Sequence, residues 1–386
     1  MGPLNGFKIV EVAGIGPGQF CGMLLADMGA QVIRVDRHET GDLGIPIPAK
    51  YNLMNRSRPT IAVDLKSEEG VELVLRLCED ADAIFEGYRP GVTEKLGIGP
   101  ADCMARNRRI VYGRMTGFGQ DGPLADSVGH DPNYIALAGA LHAIGDSDRP
   151  PPVPLNLIGD LGGGGVYLAM GMLAAMLEAS KSGMGQVVDA AMVDGVASMM
   201  TMFYGLMAGG MWQDERQSNL LDGKAPFVRN YETSDGKFMA VCAIERRFYQ
   251  ALLEALGIME IDAADQYQQA RWPEHESIFA KTFKSKTRDE WSDLLEGTDA
   301  CAAPILSLAE APKHAHNQSR KTYVNVDGIQ QPGPAPRFSR TQSNIQNPPN
   351  EMGEGAKEAL SKWGLSDEEI SRFLASDSSA KLAISN

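Results

Sequence analysis

Residues 7–36 read FKIVEVAGIGPGQFCGMLLADMGAQVIRVD, and this stretch decides the fold class. Its two ends, Phe7–Val12 and Gln31–Asp36, are short apolar runs rich in valine and isoleucine, which is typical of buried strands. Between them, Gln19–Met28 predicts a helix, and Gly29 stands where a glycine commonly ends one. A strand, a helix and a second strand in succession predict a βαβ unit, and therefore a parallel sheet.

The alternation of strands and helices continues along the chain. Further strands are predicted over 60–63, 83–85, 110–115 and 186–189, and helices over 68–79, 100–107, 132–143 and 161–180, with a long Met-rich helix from about 191. A smaller unit follows: a hairpin around the turn SDG, three helices near 247–256, 275–284 and 288–295, and a strand near 301–306. The expected fold is α/β with a parallel sheet, joined to a smaller α+β domain.

Composition excludes several classes of function. The net charge of -14 makes a polyanionic nucleic-acid partner unexpected. The five cysteines are scattered singly, which favours a reducing compartment over a disulfide framework or a structural zinc site, and the six histidines form no metal-ligand pattern. We see no signal peptide, we expect the apolar run 166–177 to be too short for a membrane span, and the terminal LAISN is no peroxisomal signal. We therefore expect a cytoplasmic protein.

Two glycine-rich stretches are candidates for a cofactor site. The first βα turn, GIGPG (14–18), resembles a dinucleotide fingerprint, but Gln19 stands where the third glycine belongs and Pro17 lies where a pyrophosphate would approach. We interpret GIGPG as a tight turn. The run GGGG (162–165) opens a predicted helix, and it favours close backbone packing or ligand approach beside Asp160.

Two titratable groups stand at predicted helix starts. In GHDPNY (129–134), Asp131 is a good N-cap and Pro132 suits the first helical position, so capping alone explains both. His130 is next to the positive helix end, which favours a neutral imidazole that can act as a base. Asp160 stands before the second helix, where a cap is again the ordinary explanation. Together, the two helix starts suit proton transfer, and their free amides suit a developing oxyanion.

Other charged residues lie where an open parallel sheet binds ligands, at strand ends and βα turns: Arg37, Lys66, Arg89 and Lys95. Ordinary surface charge explains them equally well, whereas in an acidic protein a polyphosphate ligand would require such a cluster. Glu245 follows the predicted hairpin and precedes a helix. The Met-rich stretch 192–211 favours buried core over a pliable acyl-binding surface.

Ten stretches carry a family resemblance, and they run in order from residue 4 to about 340. They are GIGPG with LLADMGAQVIRVDR (24–37), VDLK (63–66), EGYRPGV (86–92), RMTGFGQ (114–120), GHDPNY, PLNLIGD (154–160), GMGQVVDA (183–190), LDGKAPF (221–227), AIERRFY (243–249) and TDACAAPIL (298–306). By these stretches the chain resembles the class III CoA-transferase (CaiB/BaiF) superfamily.

The resemblance implies an organisation of domains and of subunits. It implies a Rossmann-like large domain over 1–211, a linker over 212–228, a smaller domain over 229–310, a return linker over 311–340 and C-terminal helices over 341–386 that rejoin the large domain. It also implies an interlocked homodimer whose active site lies between the large domain of one subunit and the small domain of its partner.

The resemblance further implies roles for individual residues. His130 and Asp160 would be the two acid/base groups, Glu245 would come from the partner subunit, and Asp131 would support His130 and offer its backbone N–H to the thioester oxygen. The remaining residues would hold the acyl-CoA: Arg37, Val63, Asp64, Leu65, Lys66, Gly87, Tyr88, Arg89, Lys95, Gly129, Pro132, Asn133 and Tyr134. Three positions depart from the family pattern, namely Lys224, Arg246 and Pro132, and the first two add positive charge near the expected acyl pocket.

The expected activity is the interconversion of (R)- and (S)-2-methylacyl-CoA thioesters, with no metal or organic cofactor. One group would remove the α-proton, an enolate would form, and the other group would return a proton to the opposite face. The alternative is CoA transfer between carboxylic acids, with Asp160 as the nucleophile. A non-catalytic acyl-CoA-binding protein is a third class. Racemisation requires one group to hold a proton, so burial of Asp160, or its coupling to Glu245, must offset the helix field.

Overall fold

A computed structural model of the protein describes residues 2–37 and 45–375, so the terminal LAISN lies outside the described residues. At its centre is a six-stranded parallel sheet with the strand order β3-β2-β1-β4-β5-β6. The strands are β1 (Lys8–Val12), β2 (Gln31–Asp36), β3 (Thr60–Ala62), β4 (Ala83–Glu86), β5 (Val111–Thr116) and β6 (Val187–Ala191). This is the doubly wound Rossmann order, so the predicted α/β class is confirmed. The order reverses between β1 and β4, and such sheets bind ligands beyond the carboxyl ends of the strands at that point.

Helices cover both faces of the sheet, which explains why its strands are apolar along most of their length. One face packs against Glu68–Glu79 and the C-terminal helices Ala356–Trp363 and Asp367–Ala375. The other face packs against Pro17–Asp27 and Tyr167–Ser182. Four further short helices belong to this part of the chain: Val92–Leu96, Pro100–Arg106, Asp131–Leu137 and Met192–Met199.

The helix expected over 161–180 is longer than predicted. It begins at Leu157 with π-helical turns over Leu157–Val166 and continues as a regular α-helix over Tyr167–Ser182. The run 166–177 thus lies within a helix of 26 residues that is long and apolar enough to cross a membrane by length and composition alone, a test that core helices of soluble proteins also pass. The α-helical part buries Leu168, Met172 and Met176 against the sheet.

Two further expectations for helices and linkers were wrong. The helix expected to reach Ala143 ends at Leu137, since Gly139 adopts a φ of +84°. The segment 311–340, expected to be a return linker, contains an antiparallel hairpin of the strands Tyr323–Val326 and Ile329–Pro332. Asp327 and Gly328 both have positive φ at its turn, which is the geometry that an Asp-Gly pair favours.

The chain divides into two compact units. The larger unit takes in the described parts of residues 1–138, 154–199 and 321–386, and the smaller unit takes in 139–153 and 200–320. The sequence prediction placed the passage into the smaller domain at 212–228 and the return at 311–340.

The smaller unit is built on an antiparallel sheet of β7 (Val228–Glu232), β8 (Phe238–Cys242) and β9 (Ala302–Pro304). An aromatic core packs against it, with Tyr231 stacked on Phe279 and Phe283. Its helices and helical turns are Leu141–Ala143, Thr201–Ala208, Arg246–Leu256, Ala263–Asp265, Gln269–Arg271, Trp272–Phe283, Arg288–Leu295, Ala311–Lys313 and Ala315–Ser319. The Met-rich stretch 192–211, expected to be buried core, forms core only in part: Met192 and Val196 are buried in the larger unit, whereas the helix Thr201–Ala208 has no buried residue.

Candidate active site

GHDPNY forms a helix start, but the cap lies one residue earlier than predicted. His130 is the N-cap, and Asp131 is the first residue of the helix Asp131–Leu137. The backbone N–H of His130 donates to Oδ1 of Asn133 at 2.9 Å, which closes the first turn. The imidazole of His130 is therefore exposed at the end of a fixed helix start, as a proton-transfer group requires.

Asp131 joins this helix to the start of the next. Its Oδ2 accepts hydrogen bonds from the backbone N–H groups of Gly159 at 2.6 Å and Asp160 at 2.8 Å. The side chain is only 2% exposed, and its Oδ1 has no partner among the described residues. A Cβ on Gly159 would lie 2.7 Å from Oδ2, so this close approach requires glycine.

Asp160 lies in the first turn of the helix that begins at Leu157, and not before the helix as predicted. Its half-buried carboxylate accepts a hydrogen bond from Nδ2 of Asn156 at 3.2 Å. Burial raises the pKa of Asp160 above its usual range, and the negative charge of Asp131 adds to this, while Asn156 and His130 oppose it. His130, Asp131 and Asp160 therefore form one electrostatic cluster, in which Asp160 holds a proton more readily than an exposed carboxyl group.

Tyr134 packs beside this cluster. Its hydroxyl donates to the backbone oxygen of Gly129, and its ring meets Phe118 edge-on at 5.1 Å. Burial, together with the charges of Asp160 and Asp131, raises the pKa of Tyr134 to about 12. Tyr134 therefore stays neutral at physiological pH and holds the loop that leads into His130.

The turn GIGPG also reaches this cluster, which the sequence did not indicate. Gly16 adopts a φ of +58°, and a Cβ there would lie 3.1 Å from Oδ2 of Asp160. The turn follows β1 at the point where the strand order reverses, and that position was the signal that could have revealed it. The run GGGG serves packing, because a Cβ on Gly164 or Gly165 would lie within 2.9 Å of Pro17.

Most of the predicted CoA-binding residues lie just beyond the carboxyl ends of β2, β3 and β4, while Lys95 lies in the helix Val92–Leu96, and Gly129, Pro132, Asn133 and Tyr134 lie at the start of the helix Asp131–Leu137. The guanidinium of Arg37 stacks on the ring of Tyr88 at 4.7 Å, and its Nε donates to the Tyr88 hydroxyl at 3.0 Å. The side chains of Lys66, Arg89 and Lys95 are exposed. Val63 and Leu65 are buried in the apolar core, so these two residues can offer a ligand only their backbone.

A buried carboxylate that we did not predict supports this region. Glu86, the last residue of β4, is 1% exposed, and its Oε2 accepts the backbone N–H of Tyr88 at 2.5 Å. Its Oε1 accepts Nε of Arg114 at 3.2 Å, and Nη2 of Arg114 donates to Glu94 at 2.8 Å. Burial raises the pKa of Glu86 to about 7. The motifs EGYRPGV and RMTGFGQ contain both partners, but sequence alone does not show that they meet.

Glu245 belongs to the smaller unit. It is the exposed N-cap of the helix Arg246–Leu256, and its carbonyl oxygen accepts the N–H of Tyr249 at 2.9 Å. Arg246 is exposed and Lys224 is partly exposed. The structure thus brings three of the four predicted catalytic residues together within the larger unit, and the fourth is at a helix start of the smaller unit.

In the part of the chain that the structure describes, no group of three His, Cys, Asp or Glu side chains is arranged to hold a metal ion.

Comparison with known proteins identifies the family. The model of CoA-transferase family III matches residues 4–355. The chain belongs to CoA-transferase family III.

Two relatives and one solved structure are similar to this chain over most of its length. The chain is 43% identical over 372 residues to an alpha-methylacyl-CoA racemase of Mus musculus, with 95% of each chain covered. It is 39% identical over 372 residues to the alpha-methylacyl-CoA racemase of Homo sapiens, again with 95% of each covered. A crystal structure of a CaiB/BaiF family protein from Brucella suis matches with a TM-score of 0.80 at 25% identity, covering 94% of this chain and 99% of that one.

Proposed function

We propose that the protein is a racemase that interconverts (R)- and (S)-2-methylacyl-CoA thioesters. The observation that carries the proposal is the similarity, at 43% and 39% identity over 95% of the chain, to two proteins named alpha-methylacyl-CoA racemase. The cluster of His130, Asp131 and Asp160 supports it, because this cluster sets an imidazole and a carboxyl group of raised pKa at two adjoining helix starts.

The proposed reaction is a proton transfer in each direction. In one direction, the imidazole of His130 removes the α-proton, and the electrons of the C–H bond form the enolate while the thioester oxygen takes up negative charge. The carboxyl group of Asp160 then delivers its proton to the opposite face of the α-carbon. In the other direction the two groups exchange roles. Each positioned acid or base typically contributes about 10²–10⁴-fold to the rate.

We propose that the thioester makes cofactors unnecessary, because it acidifies the α-proton and stabilises the enolate by itself. The backbone N–H of Asp131 is at the first helical position, where amides have no acceptor within the helix, and it would donate to the enolate oxygen. The cations Arg37, Lys66, Arg89 and Lys95 would hold the CoA phosphates near the carboxyl ends of the strands.

We propose further that the active protein is a homodimer in which Glu245 of one subunit completes the site of the other. The support is apolar surface that needs covering: Met202 and Tyr204 on the helix Thr201–Ala208 are 54% and 57% exposed, and Met170 and Leu177 on the helix of the larger unit are 57% and 60% exposed. Large apolar side chains exposed on the surface of each unit are typical of protein interfaces. Sedimentation of the purified chain, and mixing of His130→Ala with Glu245→Ala subunits, tests this arrangement, since shared sites restore activity only in the mixture.

The reaction is tested by incubation of the protein with one enantiomer of a 2-methylacyl-CoA in D₂O, without an acceptor acid. We expect α-deuterium uptake and racemisation together. Transfer of CoA to an added carboxylic acid, with no deuterium uptake when that acid is absent, would instead indicate a CoA-transferase.

Two variants assign the roles in the same assay. His130→Ala should abolish exchange, whereas a transferase that works through Asp160 alone would retain its activity in this variant. His142→Ala is the matched control, since His142 is an exposed histidine of the smaller unit and should leave exchange unchanged.

A further inference from the structure

Two cysteines stand opposite each other on neighbouring strands of the smaller unit. The register of β8 and β9 pairs Val241 with Ala302, and the next pair along the ladder is Cys242 and Cys301. The backbone N–H of Cys242 donates to the carbonyl oxygen of Cys301 at 2.9 Å. Residues directly opposite each other in an antiparallel sheet have Cα atoms about 4.5–5.5 Å apart. That separation lies within the range that a disulfide bridges.

Both thiols face away from the core. Burial alternates along β8: Met239 and Val241 point into the aromatic core, whereas Cys242 is exposed. Cys301 is exposed as well, and it stands just before β9 with a φ of +50°. Both thiols are therefore accessible to oxidants and reductants in solution.

The other three cysteines show the opposite arrangement. Cys21, Cys78 and Cys103 are all 0% exposed. Sγ of Cys78 is 3.8 Å from Sγ of Cys103, so these two are also a close pair, but a fully buried one. The protein thus carries one accessible pair and one inaccessible pair, and the second is an internal control for the first.

We propose that Cys242 and Cys301 form a reversible oxidation site. A peroxide oxidises one thiol to a sulfenic acid and is itself reduced to water. The second thiol then attacks that sulfur, the S–S bond forms, and a second molecule of water leaves. In the balanced reaction two thiols and one hydrogen peroxide give one disulfide and two waters.

The geometry also explains why such a disulfide is reversible. Exposed disulfides are among the easily reduced ones, and Cys242 and Cys301 are both exposed. Burial and the negative charge of Glu245 raise the pKa of the Cys301 thiol. Oxidation should therefore become faster as the pH rises, because the thiolate is the reactive form.

The test uses the full-length reduced protein and hydrogen peroxide. Titration with Ellman's reagent should find two reactive thiols in the native protein and five after denaturation, in keeping with two exposed and three buried cysteines. Peroxide should remove the two native thiols, and dithiothreitol should restore them. Mass spectrometry of a non-reduced digest should show a peptide pair that joins Cys242 to Cys301.

Matched variants separate this site from general oxidation. Cys242→Ser and Cys301→Ser should each abolish the linked peptide, while Cys78→Ser should leave it unchanged. Three results overturn the proposal: both thiols still free after peroxide, a sulfinic acid on one thiol with no linked peptide, or disulfides that join separate chains. Circular dichroism of the serine variants checks that they remain folded. The thiol titration and the linked peptide of the wild-type protein test the proposal even if a variant does not fold.

Discussion

Replacing Asp131 with asparagine removes one negative charge from the junction of two helices and keeps the size of the side chain. In the native protein, Oδ2 of Asp131 accepts the N–H groups of Gly159 and Asp160, and Oδ1 has no partner among the described residues. The amide nitrogen of an asparagine can occupy the place of Oδ1 without losing a bond. The substitution Asp131→Asn therefore tests the charge and not the shape.

The effect on stability follows from the two hydrogen bonds. A bond to a charged acceptor contributes about 1.5–3 kcal/mol, and a neutral one about 1 kcal/mol. The two bonds at 2.6 and 2.8 Å should together lose about 2 kcal/mol of unfolding free energy, roughly 1 kcal/mol for each bond. Weaker bonds hold Asp160 less firmly, and since a misplacement of about 1 Å can cost about 10²-fold, we expect a smaller displacement to lower racemisation by about tenfold.

The effect on pH dependence separates the charge from the packing. The negative charge of Asp131 helps to raise the pKa of Asp160, so removing it should lower that pKa. The limb of the rate profile that Asp160 controls should then move to lower pH: this is the acid limb in the direction where Asp160 is the base and the basic limb in the direction where it is the acid. Urea unfolding and deuterium exchange between pH 5 and about pH 9 measure both quantities, with Asp126→Asn as the exposed control. An unchanged limb with lost stability would refute the electrostatic role, and unchanged stability would refute the hydrogen bonds.

Three further predictions concern other parts of the molecule. Gly16→Ala should lower the racemisation rate by at least about tenfold and the unfolding free energy by about 1–2 kcal/mol, because Gly16 has a positive φ and its new Cβ would lie 3.1 Å from Oδ2 of Asp160. Gly18→Ala is the control: its Cβ would contact nothing within 4 Å, so it should change neither quantity. Glu86→Gln should raise KM for acyl-CoA about fivefold with little change in kcat, because it weakens by about 1 kcal/mol the hydrogen bond that fixes the loop after β4 through the N–H of Tyr88. Steady-state kinetics that show a loss of kcat alone would contradict this. His275 is fully buried, neither of its ring nitrogens has a hydrogen-bond partner among the described residues, and burial lowers its pKa. As the pH drops below about 6.5, the unfolded chain takes up this proton before the folded protein does, so the unfolding free energy should fall. Urea titrations of His275→Leu should lack this pH dependence.

The parallel sheet could be predicted from sequence because its signals are local. Each strand is a short apolar run, and each helix has a cap or a glycine nearby, as Ser67 shows by accepting the N–H of Gly70 at 3.0 Å. The hairpin at Asp327 and Gly328 carried an equally local turn signal, and only the polar sequence around it favoured a linker.

The start of the helix at Leu157 was missed because its cap is not local. Asn156 occupies the N-cap position, but its side chain makes no capping hydrogen bond and donates to Asp160 instead, and the sequence pattern placed the start at the first acidic residue. The cap comes from Asp131, 28 residues earlier in the chain. No periodicity or propensity in the stretch PLNLIGD can indicate a partner at that distance, and the same holds for Glu86 and Arg114, which meet only across neighbouring strands.

This distant cap also resolves the difficulty that the sequence raised for proton transfer. A carboxyl group at a helix start normally accepts the free amides there, and both those bonds and the helix field lower its pKa. Here Oδ2 of Asp131 already takes the N–H groups of Gly159 and Asp160, so the carboxyl group of Asp160 is left with Asn156. The negative charge of Asp131, which accepts these amides, also repels a negative charge on Asp160. One buried aspartate thus both completes the helix and keeps its neighbour able to hold a proton, which is the property that a two-base racemase requires of the carboxyl group opposite its histidine.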